Sequence, residues 1–420
     1  MRNQTRILFI LTVFSILSLP GNYSFSQEKL AITHGPYLLD QAENAITVVW
    51  FTNKKSVSWV EYSDDKSFGT FPTWGGYPQI AKSSNNGLID ANTKQHSIRI
   101  KNLKKGTKYK YRIVSKEILQ FDPYEVLYGD SVVGEIHEFE TFDSEKESFS
   151  FGAVTDVHER SSELDALLQN AEVNTIDLMF YTGDILNWIG EEKRIFDGFL
   201  DVSVKHFAKE KPLVYIRGNH ETRGPNARNY MSYFPHSSGK FYYSFTQGDV
   251  FFIILDSGED KPDSHPVYAG LVDFDAYRDE QAEWLQKEVE SENFKQSLYK
   301  VVLIHIPLFS DSTRHGSTYI TQKFGPILNK AGIDLMISGH HHRFAIIKNN
   351  DEGNRFPVVV LGQDMFLITD VSKEKLSIRV TDIEGAVVDN FDVKAKKNDY
   401  EYEALNYINL ALSCSASRIW

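Results

Sequence analysis

Between residues 31 and 142, apolar and polar positions alternate in short runs: 45–51 (AITVVWF), 57–62, 96–100 and 108–114 (KYKYRIV), with Gly, Asn, Asp and Ser between them. Period-two alternation broken by turn residues predicts strands, and several such strands without helical spacing predict an all-β sandwich. Trp50 falls mid-strand, where a sandwich core accommodates a large ring. The polar run 143–148 reads as a linker. Beyond it, apolar runs at 148–154, 176–181, 213–216, 300–304 and 333–337 alternate with helical spacing at 162–171, 278–289 and 322–330. A hairpin is expected within 242–256, turning at Gln247-Gly248-Asp249, and strands at 358–361, 367–371, 376–381 and 387–393 close the pattern. Strands alternating with helices predict an α/β layered domain over 148–393. Residues 394–420 form a tail whose partly apolar stretch, 405–412, fits a docked helix and a frayed end equally well.

The first 26 residues follow a different logic. Arg2 and Arg6 precede an apolar run over 7–19, then Pro20, Gly21 and Asn22 break it, and Ser24-Phe25-Ser26 offers small residues before Gln27. That order is the pattern of a secretory signal peptide, and the run is shorter than the roughly 20 residues a spanning helix needs. No later run is long enough to span, so a soluble exported protein, periplasmic or secreted, is expected. With 45 Lys+Arg against 57 Asp+Glu the net charge is −12; removing residues 1–26 takes away two basic residues and leaves −14. Such a balance excludes a protein built to coat nucleic acid or an anionic membrane. A single cysteine, Cys414, excludes an intramolecular disulfide and a thiolate zinc site, which turns attention to the 13 histidines.

Those histidines gather at strand ends. Asp156-Val157-His158 follows the first apolar run of the second domain, Gly183-Asp184 the next, Gly218-Asn219-His220-Glu221 the third, His305 the fourth and Gly339-His340-His341-His342 the fifth. Ligand sites of α/β sheets lie outside the carboxyl ends of the strands. Nitrogen and oxygen donors without sulfur favour Zn, Mn or Fe. Two such ions about 3.5–4 Å apart hold a phosphoryl group between them and activate a bridging hydroxide. Two such cations, offset by two carboxylates and that hydroxide, would leave a pocket of about +1, which would favour phosphate despite the acidic surface.

The five motifs together resemble the calcineurin-like metallophosphoesterase superfamily, and the sandwich placed before them resembles the two-domain layout of purple acid phosphatases. Residues 103–111 (LKKGTKYKY) are similar to the tyrosine-corner passage of fibronectin type III-like domains. The resemblance implies α-β-β-α layering and two divalent transition-metal ions. Asp156, His158 and His342 would bind one, Asn219, His305 and His340 the other, with Asp184 bridging. It gives His220 the contact to the phosphoryl group and the general-acid role, and makes Glu221 its catalytic neighbour, holding a ligand or His220 in orientation. Purple acid phosphatases carry Asp-x-Gly at the first motif and a metal-bound Tyr three residues after the second motif's Asp. His158 and Asn187 stand in those slots here, so the purple charge-transfer colour should be absent. His341 has no slot and is expected at the rim. Arg223, Arg228 and Arg314-His315 read first as solvated loop residues and second as phosphate neighbours. His34, His96, His137, His206 and His265 receive no role.

These readings point to an exported phosphomonoesterase acting on a small phosphoester through a metal-bridging hydroxide. Its rivals are a phosphodiesterase or nucleotide hydrolase with the same centre, and a surface-binding protein whose sandwich holds an unknown partner and whose metal core is inert.

Overall fold

The structure, a computed structural model, describes residues 28–64, 68 and 78–396. The segment 1–26, expected to be a signal peptide, and the tail beyond Lys396 therefore lie outside the described residues. No helix among the described residues is long and apolar enough to cross a membrane.

In the N-terminal domain the runs 45–51 and 57–62 are one strand, Ala45–Ser63. Its first half pairs with Ile32–Leu39 and Thr93–Lys101, its second half with Lys108–Asp122 and Gln79–Ala81. An irregularity between Phe51 and Ser56 separates the halves, and such a break bends a strand from one layer into another. Trp50 lies fully buried in the core with Val48, Val60, Ile98, Tyr111 and Phe139, and its indole N–H donates to Ser115 Oγ at 3.0 Å. The Tyr109 hydroxyl accepts from the Lys104 backbone N–H at 3.0 Å, so the tyrosine corner is present.

The second domain stacks two six-stranded sheets. One runs Leu213–Ile216, Leu178–Thr182, Phe149–Val154, Phe366–Val371, Lys375–Thr381, Val387–Lys394; the other runs Tyr243–Gln247, Val250–Ile254, Tyr299–Leu303, Leu335–Ser338, Val358–Val360, Ala345–Ile347. Alternation within each strand builds the layers. Phe151, Phe180, Phe252, Val301 and Leu335 point between the sheets, while Phe251, Ile253, Val302 and Met336 face the helices Phe274–Glu288 and His315–Ala331. Strands buried on both faces read as continuous apolar runs, which is why the sequence located them. The outer face of the first sheet packs against Ser161–Asn170 and a helical stretch from Glu192 to Ala208. That stretch escaped the sequence reading; π-turns at Phe196–Leu200 and Val204–Ala208 break the 3.6-residue spacing of its apolar positions.

The domains share one apolar cluster. Tyr37, Leu39, Val49 and Phe51 of the sandwich pack with Phe196, Phe199, Tyr215 and Phe234 of the second domain. His34 stacks on Phe196 at 3.7 Å and lies 3.0 Å from Asp201, while the Tyr37 and Tyr111 hydroxyls donate to the carbonyls of Tyr233 (2.7 Å) and Lys209 (2.6 Å). The 143–148 run is bonded too, with Asp143 N–H donating to Gln247 Oε1 at 3.0 Å.

Candidate metal centre

Phe149–Val154, Leu178–Thr182 and Leu213–Ile216 run parallel in one sheet, and Val250–Ile254, Tyr299–Leu303 and Leu335–Ser338 run parallel in the other. Their carboxyl ends open on the same side, and the five motifs meet there. The loops are interlocked: Asp156 N–H donates to the Gly183 carbonyl (3.0 Å), His158 N–H to the Asp184 carbonyl (3.1 Å) and Gly339 N–H to the His305 carbonyl (2.9 Å). Gly183 turns with φ +84°, and a side chain on Gly218 would strike the backbone nitrogen and carboxylate of Asp184. Asp156, His158, Asp184, His340 and His342 all have positive φ, between 51° and 74°. Non-glycine residues hold that conformation at a cost of order 1–3 kcal/mol each, and such strain concentrates at functional sites.

Two clusters of donor atoms result, each with its atoms within 4.8 Å of one another: Asp156, His158 and His342, and Asp184, His305 and His340. In the first, His158 Nε2 and His342 Nε2 are 3.0 Å apart and lie 3.8 and 3.2 Å from Asp156 Oδ1. Asp156 Oδ2 accepts from Thr155 Oγ1 and the His340 N–H, both at 2.9 Å, whereas buried Oδ1 has no hydrogen-bond donor. In the second, His305 donates from Nδ1 to the Thr182 carbonyl (2.8 Å), which aims Nε2 at Asp184 Oδ2, 3.0 Å away. Asn219 joins this cluster: its Oδ1 lies 3.1 Å from His340 Nδ1, 3.2 Å from His305 Nε2 and 3.3 Å from Asp184 Oδ2. Rotating that amide would let it donate to these atoms and accept from Arg223 Nη2 at 2.8 Å, the arrangement suited to an ion-free site. Four lone-pair atoms turned to one point, and a buried carboxylate oxygen without a donor in the other cluster, are what two cations require.

Charge agrees. Burial opposes ionisation of Asp156 and Asp184, yet the facing histidines hold both carboxyls below the usual range. His305, against its own burial, is pushed up to about 10 by Asp184. Two buried carboxylates thus draw in a positive partner, a place a metal ion fills better than an imidazolium.

His220 stands beside both clusters, its ring 4.8 Å from His158 and its Nε2 3.8 Å from Asp184 Oδ2. Its Nδ1 lies 2.7 Å from the Asn187 carbonyl, and Arg223 Nη1 sits 3.0 Å from its Nε2. Burial first, and Arg223 among the smaller causes, lowers its pKa.

Glu221, expected to hold a ligand or His220 in orientation, meets the backbone of the Asp184 loop. It is fully buried, and its carboxylate accepts from the backbone N–H groups of Asp184 (3.0 Å), Leu186 (2.9 Å) and Gly218 (2.9 Å). It is a positioning residue that ties two motif loops together. Asn187 also turns from the donor atoms; its amide donates to the His158 carbonyl at 3.0 Å. His341 is half-buried, 3.1 Å from Ser310 Oγ. The helix expected at 322–330 begins at His315, because small residues, Gly316 and Ser317, fill its first buried positions and hide the period. His315 consequently pairs with Asp275 (2.8 Å), away from the centre, and Arg228 is exposed. Arg314 reaches it, 3.1 Å from His340 Nε2.

The sequence reading overlooked Glu259 and Thr155. Glu259 binds Arg223 through two bonds of 2.8 and 2.9 Å and follows Val250–Ile254, a sixth parallel strand ending beside the centre. Its signal was a carboxylate beyond an apolar run, the rule that found the other five.

Comparison with known proteins agrees with this architecture. Residues 149–344 match the calcineurin-like phosphoesterase family and residues 36–145 the purple acid phosphatase N-terminal domain. Mouse (Mus musculus) serine/threonine-protein phosphatase CPPED1 is 28% identical over 148 residues, 34% of this chain and 45% of that protein. Purple acid phosphatase 1 of Ipomoea batatas is 22% identical over 362 residues, 78% of this chain and 66% of that protein. The chain thus spans less than half the length of the mouse relative. The structure of purple acid phosphatase PPD1 from yellow lupin (Lupinus luteus) seeds superposes with a TM-score of 0.63 at 15% identity, covering 86% of this chain and 74% of that one; the fold is shared.

Proposed function

Starting from a calcineurin-like phosphoesterase domain set behind a purple acid phosphatase N-terminal domain, we propose that the chain is an exported phosphohydrolase with two metal ions, acting on phosphomonoesters. The observation that carries the reading is the convergence of seven donors, Asp156, His158, His342, Asp184, Asn219, His305 and His340, with Asp156 Oδ1 buried and without a donor. Asp156, His158 and His342 would hold one ion, Asn219, His305 and His340 the other, and Asp184 would serve both. Bound ions supply Lewis-acid polarisation of the phosphoryl group and neutralise its charge.

The chain's own groups do the rest. The Thr182 carbonyl fixes the His305 tautomer, and Thr155 and the His340 N–H fix the Asp156 carboxylate. His220, directed by the Asn187 carbonyl, presents Nε2 to the reacting group; a phosphoryl dianion there favours its protonated form, and that proton passes to the leaving oxygen. Asn187 in the tyrosinate slot supports a colourless centre. Export rests on Arg2, Arg6 and the apolar run 7–19.

Purified protein supplied with Mn or Zn should bind two metal equivalents by elemental analysis and hydrolyse an aryl phosphomonoester faster than the matching diester. A faster diester would overturn the monoester assignment. Failure to hydrolyse any phosphoester with metal bound would overturn the enzymatic one.

A further inference from the structure

Beside the centre, beyond Arg223, lies a cleft of about 580 Å³. From it we propose that the leaving group of the preferred substrate is aromatic, seated in this cleft while the phosphoryl group occupies the metal centre. The inference rests on the phosphoester function proposed for the centre.

Two independent observations carry it. The first is continuity with the centre. Arg223 lines the cleft and at the same time approaches His220 Nε2, the atom assigned to the leaving oxygen, to 3.0 Å. Glu259, which grips Arg223, also accepts from the hydroxyl of Tyr268 on the cleft wall at 3.0 Å. One buried carboxylate thus sets the cleft at a fixed place relative to the proton donor. The second is the lining. Val267 and Leu271, on the short segment that rims the cleft, are 65% and 67% exposed, and buried Phe274 also lines it. Large aliphatic side chains left that open beside a reacting centre gain by covering an apolar ligand.

Most polar groups of the cleft wall are already engaged, Arg217 and Tyr277 with Asp256 and Thr222 with Glu259, while Asp273 is exposed at the rim. Arg223 and Tyr268 bond Glu259, and Arg228 donates to the Leu271 carbonyl at 3.1 Å. A polyol entering the cleft would find few free partners and lose its water, whereas an aromatic ring needs none and can lie against a guanidinium face. The volume falls within the range of ordinary small-ligand sites, about 300–1,000 Å³.

The test compares kcat/KM for naphthyl phosphate and glycerol phosphate with the metal-loaded full chain, in wild type and in the double variant Val267→Ser, Leu271→Ser. Leaving-group reactivity cancels in the ratio of ratios. The naphthyl-to-glycerol preference should fall about tenfold in the variant, mainly through KM. A preference unchanged within about twofold, with glycerol phosphate still hydrolysed, would overturn the cleft assignment alone. If the wild type hydrolyses neither ester, the phosphoester function fails and takes this assignment with it.

Discussion

Replacing Glu221 tests whether the centre depends on a residue that meets its ligand loops only at their backbone. Its carboxylate accepts three backbone N–H groups: Oε2 takes those of Asp184 and Gly218, and Oε1 that of Leu186. Glu221→Ala leaves all three donors buried and unpaired, at about 1–3 kcal/mol each, so about 3–9 kcal/mol is at stake. That is comparable to the whole stability of a typical domain. Glu221→Gln keeps one oxygen for two of the donors and turns an NH2 toward the third, for a loss of about 1–3 kcal/mol. Urea unfolding of both variants, with elemental analysis of the folded fraction, gives the measurement. The expected order of stability is wild type, then Gln, then Ala. Metal should be retained in the Gln variant and lost from the Ala variant, because the Asp184 and Asn219 loops lose their common anchor. If Glu221→Ala unfolds within about 1 kcal/mol of wild type, or if Gln is as damaging as Ala, the carboxylate is not the tie described.

His220→Ala should keep both metals yet lower kcat by about 10²–10⁴, whereas Asp184→Ala should lose metal by elemental analysis; metal loss from the His220 variant would contradict its role as proton donor. His96, with Nε2 3.0 Å from the Thr52 and Ser56 hydroxyls, has its pKa pushed down to about 4 by burial. The native state stays neutral while the unfolded chain takes up a proton below about pH 6.5, so this contribution is intact above that pH and is lost toward about pH 4, up to roughly 3 kcal/mol. Denaturant titrations across that window should show the slope, and His96→Gln should flatten it. Tyr109→Phe removes the acceptor for the Lys104 N–H and should cost about 1 kcal/mol, read as a lowered Tm.

Much of this molecule was legible because its chemistry sits at strand ends. Runs such as IDLMFY before Gly183-Asp184 mark a doubly buried strand, and polar groups just after it can only be loop residues at the sheet's edge. The N-terminal corner was legible for a similar reason, since Tyr109 answers a backbone group five residues upstream. What stayed hidden depends on pairings distant in the chain. Glu221 reads as a histidine's neighbour until the Asp184 loop folds onto it, and Arg223 reads as a solvated loop residue until Glu259 arrives from another sheet. Helix starts were blurred where small residues carry the buried face, as at Gly316 and Ser317.

Sequence similarity divides the chain between residues 145 and 149, but cohesion does not follow that line. Because Tyr37, Leu39, Val49 and Phe51 complete the wall against which Phe196 and Phe199 rest, the sandwich is less a bead on a string than a keystone. Cutting there would bare aromatic surface on both fragments.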